Sequence, residues 1–500
     1  MDARSQVSAW LEGRAKTGPG LSVELSAAPS LAPAEKLRRA YAFIAETALS
    51  CPYHDLSFGE PITVGPSEAR VSLSRESYSS YVLLPLLGLM TSQRLLLVGA
   101  PGRGKTTMAT LMALLAGVPL AETRRLVQHG HPQLTISDLL GSPLPSDLVR
   151  AEDPSAIRVA WRRWIGVRVK IIDEYNRIPT KTQSALLSLM AEGYAEAFEQ
   201  VIHAGKSAWY LTANDDLGGG TFQVIEALKD RIDAVVRTTP YNSRFLDELA
   251  SRVAEGRSPE GLIPSDVIFS NADLDAAEKA IRAVELPEDV RDLIGFFGGQ
   301  LDFCRRASPT LELQNKDTLH LGGRRVAHVC TEDCPLDKQV HLCTQTENGI
   351  SARAYQSLFL FAKAMAWFRG KPKVGAEDVR QVLPFVLFEK LRANPQSAFF
   401  QRAENQALLV DRVTWIRGLF DAAVNQRAAY EPIHAPIATL RRKLASEGVP
   451  SSASERKKKL GEVERLLDST LKKSELGGAV YDDLLVLKDL HARLARGLDG

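Results

Sequence analysis

A glycine-rich loop between a short apolar strand and a helix is the feature that most restricts what this chain can fold into. The run Arg94–Val98 leads directly into Gly99-Ala-Pro-Gly-Arg-Gly-Lys-Thr106, and a helical pattern continues from Thr107 to Ala116. Every fixed position of G-x-x-x-x-G-K-[ST] is filled. Glycine allows the sharp turn that points successive backbone N–H groups into one concavity, and the helix N-terminus adds partial positive charge. The segment therefore predicts a phosphate-binding loop within a parallel α/β sheet.

A second, acidic motif supplies what a phosphate-binding loop needs in order to hold a metal ion. The buried strand Val167–Ile172 ends in Asp173 and Glu174. With ATP as the ligand, Lys105 is expected to reach the β- and γ-phosphates, while Thr106 and Asp173 hold Mg²⁺. Glu174 is expected to orient or deprotonate the attacking water, which predicts ATP hydrolysis. The alternative is an exposed acidic pair that merely closes a strand. The predicted nucleotide contacts are Gly99, Pro101, Gly102, Arg103, Gly104, Lys105, Thr106, Thr107 and Asp173.

Changes in pattern along the chain predict four regions. Residues 1–75 are a helical and linker region, and 76–242 alternate strands with helices as an α/β nucleotide-binding domain. Residues 243–395 are a helical lid with a cysteine-containing insertion at about 302–348, and 396–500 are a helical extension.

The charge of the chain is nearly balanced, with 62 Lys and Arg against 60 Asp and Glu. This net charge of +2 indicates neither a nucleic-acid-binding nor a membrane-surface protein. The N-terminus has no signal-peptide pattern and no apolar run is long enough for a membrane span, so a cytoplasmic protein is predicted.

Three stretches resemble one known family. Asp173-Glu-Tyr-Asn-Arg-Ile-Pro-Thr-Lys-Thr-Gln through Glu192 resembles the D-E-x-N-R-x-P-x-K-x-Q stretch of the MoxR family of AAA+ ATPases. Leu211–Asn214, Gly220–Thr221 and Glu226–Arg231 are similar to its sensor-1 and E-A-x-x-D-R segments. Asn348–Arg353 resembles the start of its sensor-2 helix. The resemblance extends from about Ser79 to Leu391 and implies an AAA+ P-loop core with a helical lid.

The resemblance also implies roles for single residues. Asn214 would bind the γ-phosphate or the attacking water, although a turn-initiating Asn is an equal alternative. Arg231 would be an arginine finger for the ATP of a neighbouring subunit, whereas the simpler alternative is a surface Arg paired with Asp230 or Asp233. Arg353 would be sensor 2, touching the γ-phosphate of its own subunit and making the lid angle depend on the nucleotide. A finger acting in trans implies a homo-oligomeric ring, for this family a hexamer.

The resemblance implies chaperone-like remodelling of a client protein, in this family often beside a partner with a von Willebrand factor A domain. A nucleic-acid-stimulated AAA+ motor and a nucleotide-switched scaffold with negligible turnover are the competing functions. The near-neutral charge and the lack of a recognisable DNA-binding module weigh against nucleic acid as a partner. Arg177 and Lys181 could serve a subunit interface or remain solvated charges.

Five cysteines are unevenly placed, with Cys51 alone and the other four inside the predicted lid. Cys304, Cys330, Cys334 and Cys343 are enough ligands for a closed tetrahedral Zn²⁺ site, so a structural zinc is predicted. Free or buried thiols remain an alternative, as does an iron–sulfur cluster or redox switch.

The leucine pattern of the C-terminal extension predicts two amphipathic helices joined at Gly477-Gly478, as an antiparallel hairpin or coiled coil. Its basic run, residues 456–459, is either a solvated helix face or a docking element.

Overall fold

The structure is a computed structural model that describes most of the chain. The described residues are 31–48, 62–64, 69–71, 81–150, 153, 157–197, 199–214, 226–238, 243, 246–330, 334, 336, 338, 341–473 and 477–496. Cys51 and the Gly220–Thr221 pair lie outside these ranges.

Strands that follow the phosphate-binding pattern form a five-stranded parallel sheet. In chain order the strands are β1 Ile62–Val64, β2 Ala69–Val71, β3 Arg94–Val98, β4 Gln128–His129, β5 Gly141–Pro143, β6 Val159–Trp161, β7 Val169–Asp173, β8 Tyr194–Ala197, β9 Gln200–His203, β10 Ala208–Ala213 and β11 Ala234–Arg237. The sheet order is β11-β3-β10-β7-β4, with every neighbouring pair parallel. The remaining strands form the antiparallel pairs β1–β2, β5–β6 and β8–β9. Every residue of the central β10 is buried, as expected of a strand covered on both faces.

Helices cover this sheet and then build the rest of the molecule. In chain order they are α1 Pro33–Ala42, α2 Leu83–Thr91, α3 Lys105–Leu115, α4 Leu120–Leu126, α5 Ile136–Leu140, α6 Pro145–Arg150, α7 Thr180–Glu192, α8 Glu226–Arg231, α9 Leu246–Glu255, α10 Asn271–Ala283, α11 Glu288–Asp302, α12 Lys316–Leu321, α13 Val326–Val329, α14 Ala352–Phe368, α15 Ala376–Leu387, α16 Arg412–Glu447, α17 Ala453–Lys473 and α18 Gly478–Ala495. The predicted class, an α/β nucleotide-binding core with a helical lid and a helical extension, is confirmed.

The lid is packed onto the α/β core rather than tethered to it. Helix α14 contacts α15 and α10 within the lid and α2 in the core. The largest hydrophobic cluster accordingly runs from Leu37 to Ala423 without a break between the two parts. The C-terminal helices have a smaller cluster of their own, which includes Ile437, Val463 and Leu487. The predicted domain boundaries stay predictions.

Candidate active site

The phosphate-binding loop lies between the end of β3 and the start of α3. Gly102 and Gly104 have φ of 75° and 73°, in the left-handed region that a side chain makes costly. Gly104 is the residue from which α3 begins. Pro101, Gly102 and Arg103 are exposed at the rim of the loop, where a nucleotide can approach them. The helix begins with Lys105, followed by Thr106 and Thr107, so the sequence-predicted loop residues occupy one continuous turn.

Lys105 is folded back over the loop. It is 7% exposed, and its Nζ donates to the carbonyl oxygens of Gly99 at 2.7 Å and Ala100 at 2.9 Å. A lysine held this way stays above the loop and can exchange a carbonyl for a phosphate oxygen with little movement. The tyrosine ahead of the loop adds support, since Tyr81 donates its hydroxyl to the Gly104 carbonyl at 2.7 Å.

The predicted magnesium ligands lie side by side. The Thr106 hydroxyl donates to Asp173 Oδ1 at 2.8 Å, joining the start of α3 to the end of β7. Thr212, on the intervening strand β10, donates to the same oxygen at 2.5 Å. His129, on the other side of β7, places Nδ1 3.4 Å from Asp173 Oδ2. A hydroxyl and a carboxylate are the hard oxygen donors that Mg²⁺ prefers, so the residues present fit the ion.

Glu174 is turned out of the strand and held by three neighbours. Its backbone is left-handed, and its N–H donates to Thr212 Oγ1 at 2.9 Å. Asn214 Nδ2 donates to Glu174 Oε1 at 2.8 Å, and Arg177 Nε lies 3.2 Å from Oε2. Asn214 and Glu174 were both predicted for this site and do come together. Thr212 was missed, although its position two residues before Asn214 puts it on the same face of β10.

Arg231 ends α8, the short helix before β11. Its Nη1 donates to the Ala227 carbonyl at 2.8 Å, and its buried Nε has no hydrogen-bond partner within the described part of the chain. The two carboxylates that could have neutralised it are bonded to other residues. Asp230 accepts from Arg353, and Asp233 accepts from Arg94. The Arg231 guanidinium is therefore not paired with either Asp230 or Asp233.

Arg353, predicted as sensor 2, has a different partner from the one expected. It forms an ion pair of 2.7 Å with Asp230 and lines a groove of about 650 Å³ together with Gln93 and Arg94. Arg94 begins β3, whereas the phosphate-binding loop follows the other end of that strand, about 16 Å away for five residues. Its predicted contact with the γ-phosphate of its own subunit remains untested.

The four lid cysteines do not form the predicted zinc site. Among the residues described, no three His, Cys, Asp or Glu side chains are placed so that they could hold a metal ion. Cys304 and Cys330 pack beside Leu319, while Cys334 and Cys343 pack around Phe303, so the thiols are divided between two apolar clusters. Burial, followed by the charges of neighbouring cysteines, raises the pKa of Cys330 to about 11, and burial raises that of Cys343 to about 12. Because no metal-binding group is found among the described residues, the structure does not support the zinc prediction.

In the part of the chain that the structure describes, none of the helices combines the length and the apolar character needed to cross a membrane.

Comparisons with known proteins agree with this geometry. The family model of the AAA domain (dynein-related subfamily) matches residues 94–232, and that of the AAA lid domain matches residues 339–411. Protein MoxR of Paracoccus denitrificans is 26% identical over 321 residues, covering 63% of this chain and 84% of that protein. The uncharacterized protein YeaC of Bacillus subtilis strain 168 is 23% identical over 321 residues, covering 63% and 83% respectively.

A crystal structure of a candidate ATPase from Cytophaga hutchinsonii has the same fold. The two superpose with a TM-score of 0.52 at 18% identity, over 81% of this chain and 98% of the other. The residues matched by the AAA domain model include the phosphate-binding loop and the acidic strand end, and those matched by the lid model include helices α14 and α15. The chain therefore contains an AAA ATPase domain followed by an AAA lid domain, and it is similar to protein MoxR over most of that protein's length.

Proposed function

We propose that this protein hydrolyses ATP within a ring of identical subunits and uses the resulting lid movement to remodel a client protein. The observation that carries the hydrolytic part is the Glu174 carboxylate, held beside Asn214 at the strand end next to the Thr106–Asp173 pair. In-line attack of water on a γ-phosphate requires a group that activates the water, a group that orients it and a metal ion near the phosphate. The carboxylate, the amide and the metal-binding pair match these three requirements.

The residues divide the work between binding and proton transfer. Lys105 and the loop N–H groups would bind the phosphates, and Thr106 with Asp173 would hold Mg²⁺, which neutralises charge that develops on the phosphate oxygens. Glu174 would take the proton of the attacking water, while Asn214 orients that water. Asn214 and Arg177 each contact one carboxylate oxygen of Glu174 and so fix the direction of the carboxylate. Each oxygen keeps a further lone pair with which it can accept a proton from water.

The ring is supported by the state of Arg231. Within the described residues no ion pair is found for Arg231 at the end of α8, and a cation in this situation is suited to stabilise transition-state charge on a phosphate of another subunit. The resemblance to the family favours a hexamer, a chaperone-like activity and a partner with a von Willebrand factor A domain.

The competing nucleic-acid motor has less support from the C-terminal helices than its basic run suggested. Arg456 donates to the backbone carbonyls of Pro450 and Arg496, and Lys459 lies 3.7 Å from Glu462. Lys457 and Lys458 remain exposed. A nucleic-acid motor would show an ATPase rate that rises with DNA or RNA and falls steeply with salt; we expect neither.

The decisive test is Glu174→Gln, which removes the base and keeps the shape of the side chain. We expect ATP binding to persist and turnover to fall by at least about 100-fold. Turnover measured by phosphate release and binding measured with a fluorescent ATP analogue separate the two effects. Glu192→Gln, at an exposed glutamate ending α7, is the matched control and should leave both unchanged.

The same variant identifies the client. Glu174→Gln charged with ATP should retain a protein that Lys105→Ala, which cannot hold the phosphates, does not retain. The retained protein is then purified, and a rise in wild-type turnover on its addition supports remodelling. Unchanged phosphate release by Glu174→Gln would remove this residue from the mechanism.

A further inference from the structure

The lid helix α14 bonds to two aspartates that lie on either side of Arg231, the proposed arginine finger, in the sequence. Asp230 directly precedes Arg231, and its Oδ2 accepts from Arg353 Nη1 at 2.7 Å. Asp233 follows the finger by two residues, and its Oδ1 accepts from the Ser357 hydroxyl at 2.7 Å. Arg353 and Ser357 are four residues apart on α14 and therefore share one face of that helix. The finger is bracketed between two bonds to its own subunit's lid.

The contact at Asp233 is the fixed one. Asp233 is 4% exposed and Ser357 is 3% exposed. The same carboxylate accepts from Arg94 Nε at 2.7 Å, from Nη2 at 3.2 Å and from the Arg94 backbone N–H at 2.8 Å. A buried charge with this many donors does not shift by itself, because any lost bond would leave an unpaired charge in the interior. Helix α14, the start of β11 and the start of β3 are thus joined at one point.

The contact at Asp230 is the adjustable one. The Arg353 side chain is 51% exposed and that of Asp230 is 35% exposed, so water can replace either partner. Burial alone would raise the pKa of Asp230, but hydrogen bonds from Arg353 and Ser351 outweigh it and lower the pKa. Ser351 is also the N-cap of α14, which places the ionised carboxylate at the positive end of the helix. The bond is favourable yet able to open when the lid tilts.

We propose that Arg353 is a positioning residue for Arg231: through Asp230 it sets where the finger points, so the lid angle of one subunit governs hydrolysis of its neighbour's ATP. The inference rests on the proposed function in one respect, that Arg231 acts in trans. It differs from a sensor-2 role, in which Arg353 would touch the γ-phosphate of its own subunit. In the positioning role, an Arg353 variant impairs hydrolysis at the ATP site of the neighbouring subunit. In the sensor-2 role, it impairs hydrolysis at the ATP site of its own subunit.

Mixed rings separate the two roles. Arg353→Gln alone should lose about tenfold in kcat with little change in KM for ATP. When it is mixed with Glu174→Gln subunits, which are inactive but have an intact lid and finger, kcat per Arg353→Gln subunit should rise. A sensor acting on its own ATP could not be rescued in this way, and a mixture without rescue overturns the inference.

Arg231→Ala in the same mixtures tests the underlying premise. Alone it should lose about 10³-fold or more in hydrolysis, and Glu174→Gln subunits should restore part of it. If Arg231→Ala is not rescued, the finger in trans fails and the proposed ring mechanism fails with it. If Arg231→Ala is rescued and Arg353→Gln is not, only the positioning role fails.

A double-mutant cycle then tests whether Arg353 acts through Asp230. Asp230→Asn and Arg353→Gln combined should be no worse than the more severe single variant, because they remove the same contact. Losses that multiply would mean a direct contact of Arg353 with phosphate and would overturn the proposal. Arg380→Gln is the control, since it breaks a lid ion pair to Asp421 that does not touch the finger, and it should keep wild-type kcat.

Ser357→Ala removes the other bond, the one from Ser357 to Asp233, with minimal change in volume. It should show the same rescue in mixtures.

Discussion

Glu174 has a backbone conformation that few residues other than glycine adopt. Its φ and ψ are 52° and 48°, which costs a residue with a Cβ about 1 kcal/mol. The hydrogen bond from its N–H to Thr212 Oγ1 offsets part of that cost. The turn takes Glu174 out of the line of β7 and brings its carboxylate to Asn214 at the end of β10. The strained backbone of Glu174 therefore places its carboxylate, the proposed base, and the hydrogen bond to Thr212 maintains that conformation.

Replacing Thr212 with valine tests that dependence. Thr212 is fully buried, and valine keeps its shape while removing the bonds to Asp173 and Glu174. We expect kcat to fall by up to about 100-fold, as misplacement of a catalytic group does, with little change in KM for ATP. Steady-state phosphate release measures both constants.

The matched control for that substitution is Thr123→Val. Thr123 is also fully buried, and its hydroxyl contacts only the backbone carbonyls of Val118 and Pro119, at the start of α4. An equal loss of kcat in both valine variants would show that the effect is general destabilisation.

At the scale of whole elements, the C-terminal helices depend on polar groups buried where they meet the lid. Helix α18 contacts α11 and α16 as well as its hairpin partner α17. His434 on α16 lies 3.0 Å from Asp483 on α18, and Tyr430 donates to the same carboxylate at 3.1 Å. The adjacent Asp482 lies so close to Gly299 on α11 that a Cβ there would be 1.9 Å from its Oδ2. Two neighbouring aspartates thus enter one interface, and among the described residues His434 and Tyr430 contact the carboxylate of Asp483.

This arrangement makes the stability of the interface depend on pH. Burial, followed by the charges of Asp483 and Asp302, raises the pKa of Asp482 to about 7. A folded-state pKa above the unfolded value of about 3.9 means that folding favours the protonated form. Asp482 should therefore stabilise the fold at low pH, and this contribution should be lost between about pH 4 and pH 7.

The variant Asp482→Asn removes that titration. Above pH 7 we expect it to be more stable than the wild type by up to about 4 kcal/mol, with the difference disappearing as the pH falls towards 4. Urea unfolding at pH 5 and pH 8 measures it. Asp489→Asn is the control, because Asp489 lies on the same helix with a side chain 66% exposed. The raised pKa of His434, caused mainly by its bond to Asp483, is common to all three proteins and so cancels. A difference that is independent of pH would contradict this expectation.

At the scale of the molecule, the α/β core and the lid share one hydrophobic cluster, while the last helices form another. A lid buried in this way cannot swing as an independent domain, since separating it would expose the apolar surface it shares with the core. Small rotations that keep the packing are the available motion, and the Asp230 bond to α14 can transmit them. Such rotations do work only if a second subunit responds to them.

Assembly is therefore the whole-molecule expectation to measure. Glu174→Gln with ATP should sediment as a ring of six chains, while Lys105→Ala should stay smaller under the same conditions. Wild-type turnover per chain should rise with protein concentration, because a finger in trans is absent from a dilute monomer. Full activity in a chain that remains monomeric would contradict both the ring and the finger.

Local sequence was sufficient to predict those parts of the site whose residues are neighbours in the chain. The phosphate-binding loop, the Asp173–Glu174 strand end and Asn214 each occupy a short segment whose glycine, strand or turn pattern can be recognised directly in the sequence. The cysteines show the opposite case. Their number within one stretch of the lid predicted a metal site, but whether four thiols converge depends on packing around Phe303 and Leu319, which the sequence does not describe.

The sequence by itself determined that this chain binds and hydrolyses ATP in a parallel α/β core with a lid, because the glycine-rich loop, the acidic strand end and the alternation of strands and helices are local patterns. Only the tertiary structure decided that Thr212 joins Asp173 to Glu174 and that Arg353 bonds to Asp230, 123 residues away. The physical reason is that a side chain's partner is set by which elements pack together. Packing is a property of the complete core, whereas each motif is a property of its own segment.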